Sequence, residues 1–194
     1  MPSHGVPGMK LVVGLGNPGR RYEGTRHNVG YIVVGELAKK YFASGLRNRF
    51  QGETAEADLD GEKTLLLTPT TYMNLSGASV LAARDFYKIP QEDLLVVCDD
   101  LNLPLAKLRV RAAGSAGGQK GLEDIIRRLG TDEFTRLRIG IGAPPDGWSW
   151  PDFVLSKFTK EEIPAMEQAV ARAIEAIVVW TREGVQTCMD RYNG

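Results

Sequence analysis

An apolar run, Leu11-Val12-Val13, empties into a glycine-rich stretch, GLGNPGRRYEGTRHNVG, at positions 14 to 30. The run reads as a buried strand. Beyond the stretch, Val29, Val33, Leu37 and Tyr41 recur every four positions, which predicts a helix over about 28–41. A loop of this kind leaves a sheet at a strand's carboxyl end, where open α/β sheets bind their ligands. It carries two polar side chains there, Asn17 and His27. The other of the chain's two histidines, His4, lies in the opening segment MPSHGVPG. Proton chemistry near neutral pH by an unperturbed side chain therefore falls to His27.

The rest of the chain keeps alternating strand and helix patterns. Thr54–Leu59 and Lys63–Thr68 flank Asp60-Gly61, a hairpin turn signal. A helix is expected over Ser76–Tyr87, ended by Ile89-Pro90. Leu94–Cys98 is continuously apolar and reads as a central strand with Asp99 and Asp100 at its end. Lys107–Arg111 alternates basic and apolar residues. A loop at 114–118 precedes a helix over Gly121–Leu129, stopped by Gly130. Leu137–Ile141 is a further strand, and Trp148 and Trp150 are expected to pack down the Pro144–Gly147 loop. Thr159 and Glu162 read as a capping box. They open a long helix to about Arg182, kinked near Pro164 and closed by Gly184. The pattern predicts a single α/β domain over residues 9–194, with residues 1–8 a leader or tail. Its central sheet should be twisted, mixed and mostly parallel, with helices on both faces. A chain of 194 residues with 43% hydrophobic content can bury one such core.

Several function classes drop out. The formal net charge is zero, but basic residues concentrate at 20–49 and 107–138, so a basic face toward phosphate is compatible with a neutral chain. Cys98 and Cys188 imply no disulfide framework, as expected in a reducing compartment. No apolar run is long enough to span a membrane, and the opening segment lacks the apolar core of a secretory signal. There is no H-E-x-x-H and no Cys/His cluster, hence no expected metal. G-x-S-x-G, the serine elbow, is absent. Gly14, Gly16 and Gly19 spell G-x-G-x-x-G, but Asn17-Pro18 interrupts it and Glu36 falls on a helical pattern, so a dinucleotide site is not expected.

From the residues alone, His27 and Asp99 form the strongest pair. A carboxylate on one ring nitrogen fixes the tautomer and leaves the other nitrogen to take a proton. Asn17 and Asn74 offer amides that can donate to a carbonyl oxygen and accept from water. Structural roles compete with these readings. His27 could be a capping or surface group at a helix start with Thr25 as a cap, Asn17 could shape the turn before Pro18, and Asn74 could cap the next helix.

Five segments together resemble the bacterial-type peptidyl-tRNA hydrolase family: Gly14–Gly30, TPTTYMNLSG (68–77), VVCDDLNLP (96–104), GSAGGQKGLEDI (114–125) and FTRLRIGIG (134–142). The likeness runs from Met9 to about Met189. It implies hydrolysis of the ester between a peptide and the 3′-terminal ribose of tRNA, with His27 as base and Asp99 orienting it. It implies that Asn17 and Asn74 line the cleft, Met73 forms its wall and Tyr22 stands near the tRNA-facing rim. It implies that Arg111 and Arg138 clamp the tRNA 5′-phosphate. Gln119-Lys120 replaces the His-Asn common in the family, and Lys120 would contact RNA phosphate instead. The resemblance further implies a cytoplasmic monomer with no cofactor, no membrane and no obligate protein partner. The alternative is a relative from plant organelles that acts in group II intron splicing without needing hydrolase activity.

Overall fold

The computed structural model describes residues 8–194, so the expected leader at 1–8 lies outside it except for Gly8. Lys10–Gly14 forms strand β1, whose last four residues are buried. It runs between β4 (Glu62–Pro69) and β5 (Leu94–Asp100), parallel to both. β5 is in turn parallel to β7 (Thr135–Gly140). These four strands are the centre of a seven-stranded sheet. Its margins are antiparallel: β3 (Gly52–Leu59) pairs with β4, β2 (Ser44–Arg49) with β3, and β6 (Leu108–Arg111) with β7. The order is β2-β3-β4-β1-β5-β7-β6.

The sheet is covered on both faces, which is why β1 and β5 read as unbroken apolar runs. Successive side chains point to opposite faces. Val12, Leu95 and Val97 pack with α1 (Val29–Lys40), α5 (Ile163–Glu183) and α6 (Val185–Tyr192). Leu11, Val13, Val96 and Cys98 pack with α2 (Ser76–Tyr87) and α3 (Lys120–Leu129). Truncating one of these buried residues to alanine should cost about 2–5 kcal/mol for a leucine. Burial pushes the Cys98 thiol up to about 12, so it behaves as core rather than as a nucleophile.

Some expectations need correction. β2 was not foreseen: its residues are mostly exposed and show no alternation. Its turn into β3 places Phe50 and Gln51 at φ 57° and 53°, a left-handed pair without the usual glycine or asparagine signal. The α2 helix ends on Lys88 in the left-handed region, where Ile89 N donates to Arg84 O, before Pro90 is reached. Thr25 does not cap α1; its hydroxyl donates to Tyr22 O. Asn74 is exposed and makes no cap on α2. Pro164 sits in the first turn of α5, where a missing N–H costs nothing, so no kink is expected from it. Trp148 and Trp150 are 52% and 44% exposed rather than packed down. Trp150 instead opens a short helix, α4 (Trp150–Val154), capped by Ser149 Oγ. The capping box closes: Thr159 N donates to Glu162 Oε1 at 2.9 Å and Glu162 N to Thr159 Oγ1 at 3.3 Å. The short segment after Gly184 is a helix, α6.

Because the central strands are parallel, β1, β5 and β7 deliver Gly14, Asp99-Asp100 and Gly140 to one edge. The first turn of α1 lies directly against the exit of β1. A Cβ on Gly30 would stand 2.6 Å from both Leu15 O and Val97 O, so no larger residue fits there. That close approach sets His27, three residues earlier, over the end of β5.

Candidate active site

His27 sits on a 3₁₀ turn, Arg26–Asn28, that runs straight into α1. Its Nδ1–H donates to Asp99 Oδ2 at 2.7 Å. Asp99 is 2% exposed, and its second oxygen accepts from Gln119 Nε2 at 3.0 Å. Each carboxylate oxygen thus has a donor, as a buried charge requires. No described residue bonds to His27 Nε2. Gln119 itself is fixed at the start of α3, where its Oε1 accepts from Leu122 N at 2.8 Å. Sequence reasoning missed this role, because glutamine is not a favoured cap and the side chain reaches Asp99 only in the folded chain.

Asn17 is held with equal economy. Its backbone N–H donates to Asn28 Oδ1 and its carbonyl accepts from Asn28 Nδ2, both at 2.9 Å. Its side-chain Oδ1 accepts from Met73 N at 2.7 Å. The Asn17 Nδ2 group is left over as a donor in a residue 9% exposed. Asn28 was also missed, though it follows His27 directly in the motif. Met73 is buried, and its sulfur is 3.3 Å from Gln119 Nε2, so it backs the site from behind.

These groups open on a cleft of about 390 Å³ lined by Asn17, His27, Asp99, Gln119, Lys120 and Arg138, with Trp150, Pro151, Val154 and Leu155 as one wall. Lys120 is exposed and 3.6 Å from Glu123. Arg138 lies 3.7 Å from Asp100 and donates to the carbonyls of Ser115 (2.6 Å) and Ala116 (3.3 Å). Arg111 is exposed on β6, where its cross-strand partner is Arg136, while Arg138 faces Arg109. Arg136 does not belong to a basic surface: it is fully buried and donates to the carbonyls of Gly114, Ser115 and Asp132. The structure therefore brings His27, Asp99, Asn17, Lys120 and Arg138 to one cleft, with Met73 behind it. Tyr22, Asn74 and Arg111 are not among the residues lining it. Tyr22 is half-buried on the 3₁₀ turn Arg20–Tyr22, and Asn74 lies exposed beside Met73.

Arg26 ties the cleft wall to the histidine loop. Its guanidinium makes a two-pronged ion pair with Glu162 at 2.9 and 2.7 Å and donates to Ser156 Oγ and Ile141 O. It also lies 4.2 Å from the Phe153 ring and 5.0 Å from Phe158. Hydrogen bonds from Arg26 hold the Glu162 carboxyl down to about 2. In the sequence, Arg26 is only one charge in a basic stretch.

No three His, Cys, Asp or Glu side chains among the described residues stand together as a metal site. The glycine fingerprint does not open a helix: two 3₁₀ turns separate Gly19 from the start of α1 at Val29. No helix among the described residues is long and apolar enough to cross a membrane.

A sequence profile of the family described as peptidyl-tRNA hydrolase matches residues 11–194. The chain is 53% identical over 185 residues to the peptidyl-tRNA hydrolase of Rhodopirellula baltica, covering 95% of this chain and 97% of that protein. It is 46% identical to the peptidyl-tRNA hydrolase of Desulfitobacterium hafniense, covering 95% and 100%. The crystal structure of peptidyl-tRNA hydrolase from Acinetobacter baumannii superposes with a TM-score of 0.90 at 37% identity, over 96% of this chain and 95% of that one. The cleft described above thus belongs to a chain that is a member of the peptidyl-tRNA hydrolase family.

Proposed function

We propose that this protein hydrolyses the ester between a peptide, or N-blocked amino acid, and the 3′-terminal ribose of tRNA, with His27 as general base. The observation that carries the reading is the His27 Nδ1–Asp99 hydrogen bond at 2.7 Å in a residue that lines the cleft, with Nε2 left unbonded among the described residues. An ionised carboxylate only accepts, so Nδ1 carries the proton and Nε2 is the basic nitrogen. Nε2 takes a proton from water as that water attacks the ester carbonyl, then returns it to the departing ribose oxygen. Gln119 keeps Asp99 from turning away.

Asn17 supplies Nδ2 to the carbonyl oxygen as it becomes an oxyanion, since its Oδ1 is already held by Met73 N. Asn74, exposed beside Met73, holds the substrate's backbone, and Tyr22 stands at the RNA-facing rim. Lys120 supplies positive charge at the mouth of the cleft. Arg111 and Arg138 meet the 5′-phosphate of tRNA. Arg138 already bonds two loop carbonyls, so it serves the loop and the phosphate together. The catalytic unit is residues 9–194, acting as a monomer in the cytoplasm without cofactor or obligate protein partner. The released tRNA returns to translation.

The relatives named above carry the hydrolase name, and the intron-splicing alternative has no support among them. The test is incubation with N-acetyl-aminoacyl-tRNA, following release of free tRNA, beside His27→Ala. Sedimentation of the same sample reports the oligomeric state.

A further inference from the structure

A second cavity, of about 320 Å³, opens on the other side of Asn17. Asn17 is the residue it shares with the cleft. Its apolar surface comes from Val34 and Ala38 of α1, Leu66 of β4 and Leu46 of β2, the last 75% exposed. Glu23 and Glu53 are its charged residues, and neither has a Lys or Arg partner within salt-bridge distance among the described residues. No lysine or arginine lines it, whereas Lys120 and Arg138 line the cleft. Tyr31 adds no charge. Burial and the Glu53 carboxylate push its phenol up, and it donates to Pro69 O.

We propose that this cavity receives the peptide half of the substrate, upstream of the ester, and favours basic over acidic side chains there. The proposal rests on the reading of His27 and Asn17 given above. An ester carbonyl placed at both residues must send its two substituents in different directions. One substituent is a polyanion, which the Lys120 and Arg138 side attracts and the Glu23 and Glu53 side repels. The peptide is left with the acidic cavity, whose apolar floor suits side chains and whose volume is that of a small-ligand site. The leftover Asn17 Nδ2, in a residue nine-tenths buried, stands where the two halves join.

The experiment uses one tRNA carrying three acyl groups: N-acetyl-alanine, and tripeptides with lysine or glutamate two residues before the ester. The native chain should show a KM about three- to tenfold lower for the lysine tripeptide than for the glutamate one, the scale of one or two partly exposed charge pairs. In Glu23→Gln/Glu53→Gln that preference should vanish, while N-acetyl-alanyl-tRNA, too short to reach the rim, is cleaved as before. Gly35→Phe is a second arm. Gly35 lines the cavity, lies on exposed helix and has open space at its Cβ, so the ring should fill the cavity without unfolding α1. It should raise KM for both tripeptides and spare the N-acetyl substrate. If all variants handle the tripeptides like the native chain while N-acetyl-alanyl-tRNA is cleaved, the subsite is overturned and the hydrolase reading stands. If no acyl-tRNA is cleaved at all, the hydrolase reading falls and takes the subsite with it.

Discussion

Arg26 and His27 are neighbours in the chain and work under opposite rules. The Arg26 side is nearly saturated: four of its five N–H donors meet Glu162, Ser156 and Ile141, and the guanidinium lies against two phenyl rings. The His27 side is deliberately incomplete: one ring nitrogen is tied to Asp99 and the other has no described partner. Both are basic groups withdrawn from water. A polar group whose valences are all filled holds the fold, and one with a valence left over at a cleft can do chemistry. The same contrast separates Asn28, with both its amide atoms engaged, from Asn17, whose Nδ2 is spare.

The largest test of that contrast is His27→Ala. Turnover of N-acetyl-aminoacyl-tRNA should fall roughly 10²–10⁴-fold, with thermal stability and tRNA binding nearly unchanged. A rate within tenfold of native would place the base elsewhere. Asp99→Asn comes next. Gln119 and His27 both donate to Asp99, so an amide there can accept from one and must oppose the other. A fall in kcat of at least about 10²-fold is expected, as for other carboxylates that orient a catalytic histidine. Native kcat in this variant would reduce Asp99 to shaping the loop.

Arg26→Ala should show the opposite profile. Removing one partner of a largely buried ion pair should cost about 3 kcal/mol in urea unfolding. The α4 wall would loosen, raising KM more than it lowers kcat. A variant as stable as native would erase the distinction between the two neighbours.

Glu162 gives the same latch a pH signature. Its folded-state pKa, about 2, lies below the ordinary glutamate value. The contribution is therefore complete above about pH 4.3 and is lost as pH falls toward the folded value, for a total of about 2–3 kcal/mol. Glu162→Gln should be less stable at neutral pH and flatter across that acid range; parallel pH–stability curves would contradict the assignment. The smallest effect belongs to the proposed phosphate contacts. Arg111→Ala/Arg138→Ala should make the slope of log affinity against log salt shallower by about one to two. Because Arg138 also braces the 115–116 carbonyls, the single Arg111 variant separates phosphate contact from loop damage. An unchanged slope would remove both from the tRNA interface.

Much of this molecule can be read along the chain. The apolar runs of β1 and β5, the Asp60-Gly61 hairpin and the four-residue spacing of α1 need no distant partner to be recognised. Local sterics and solvent exclusion act on each of them directly. The pairing of His27 with Asp99 follows from the same logic, because parallel strands bring their carboxyl ends to one edge. Strand β2, the α4 wall and the true surroundings of Arg26, Gln119 and Arg136 could not be read that way. β2 exists because β3 offers it an edge, and Arg136 looks like surface charge until the 114–115 carbonyls close over it. β2 pairs only 3 to 12 positions away, yet its exposed residues carry no alternation to mark it, whereas Gln119, Arg136 and Arg26 reach partners 20, 22 and 136 positions away. The sequence by itself determined which groups can hold, give or take a proton. The tertiary structure decided which of their valences are filled, because a hydrogen bond forms only between atoms that packing has already brought within about 3 Å.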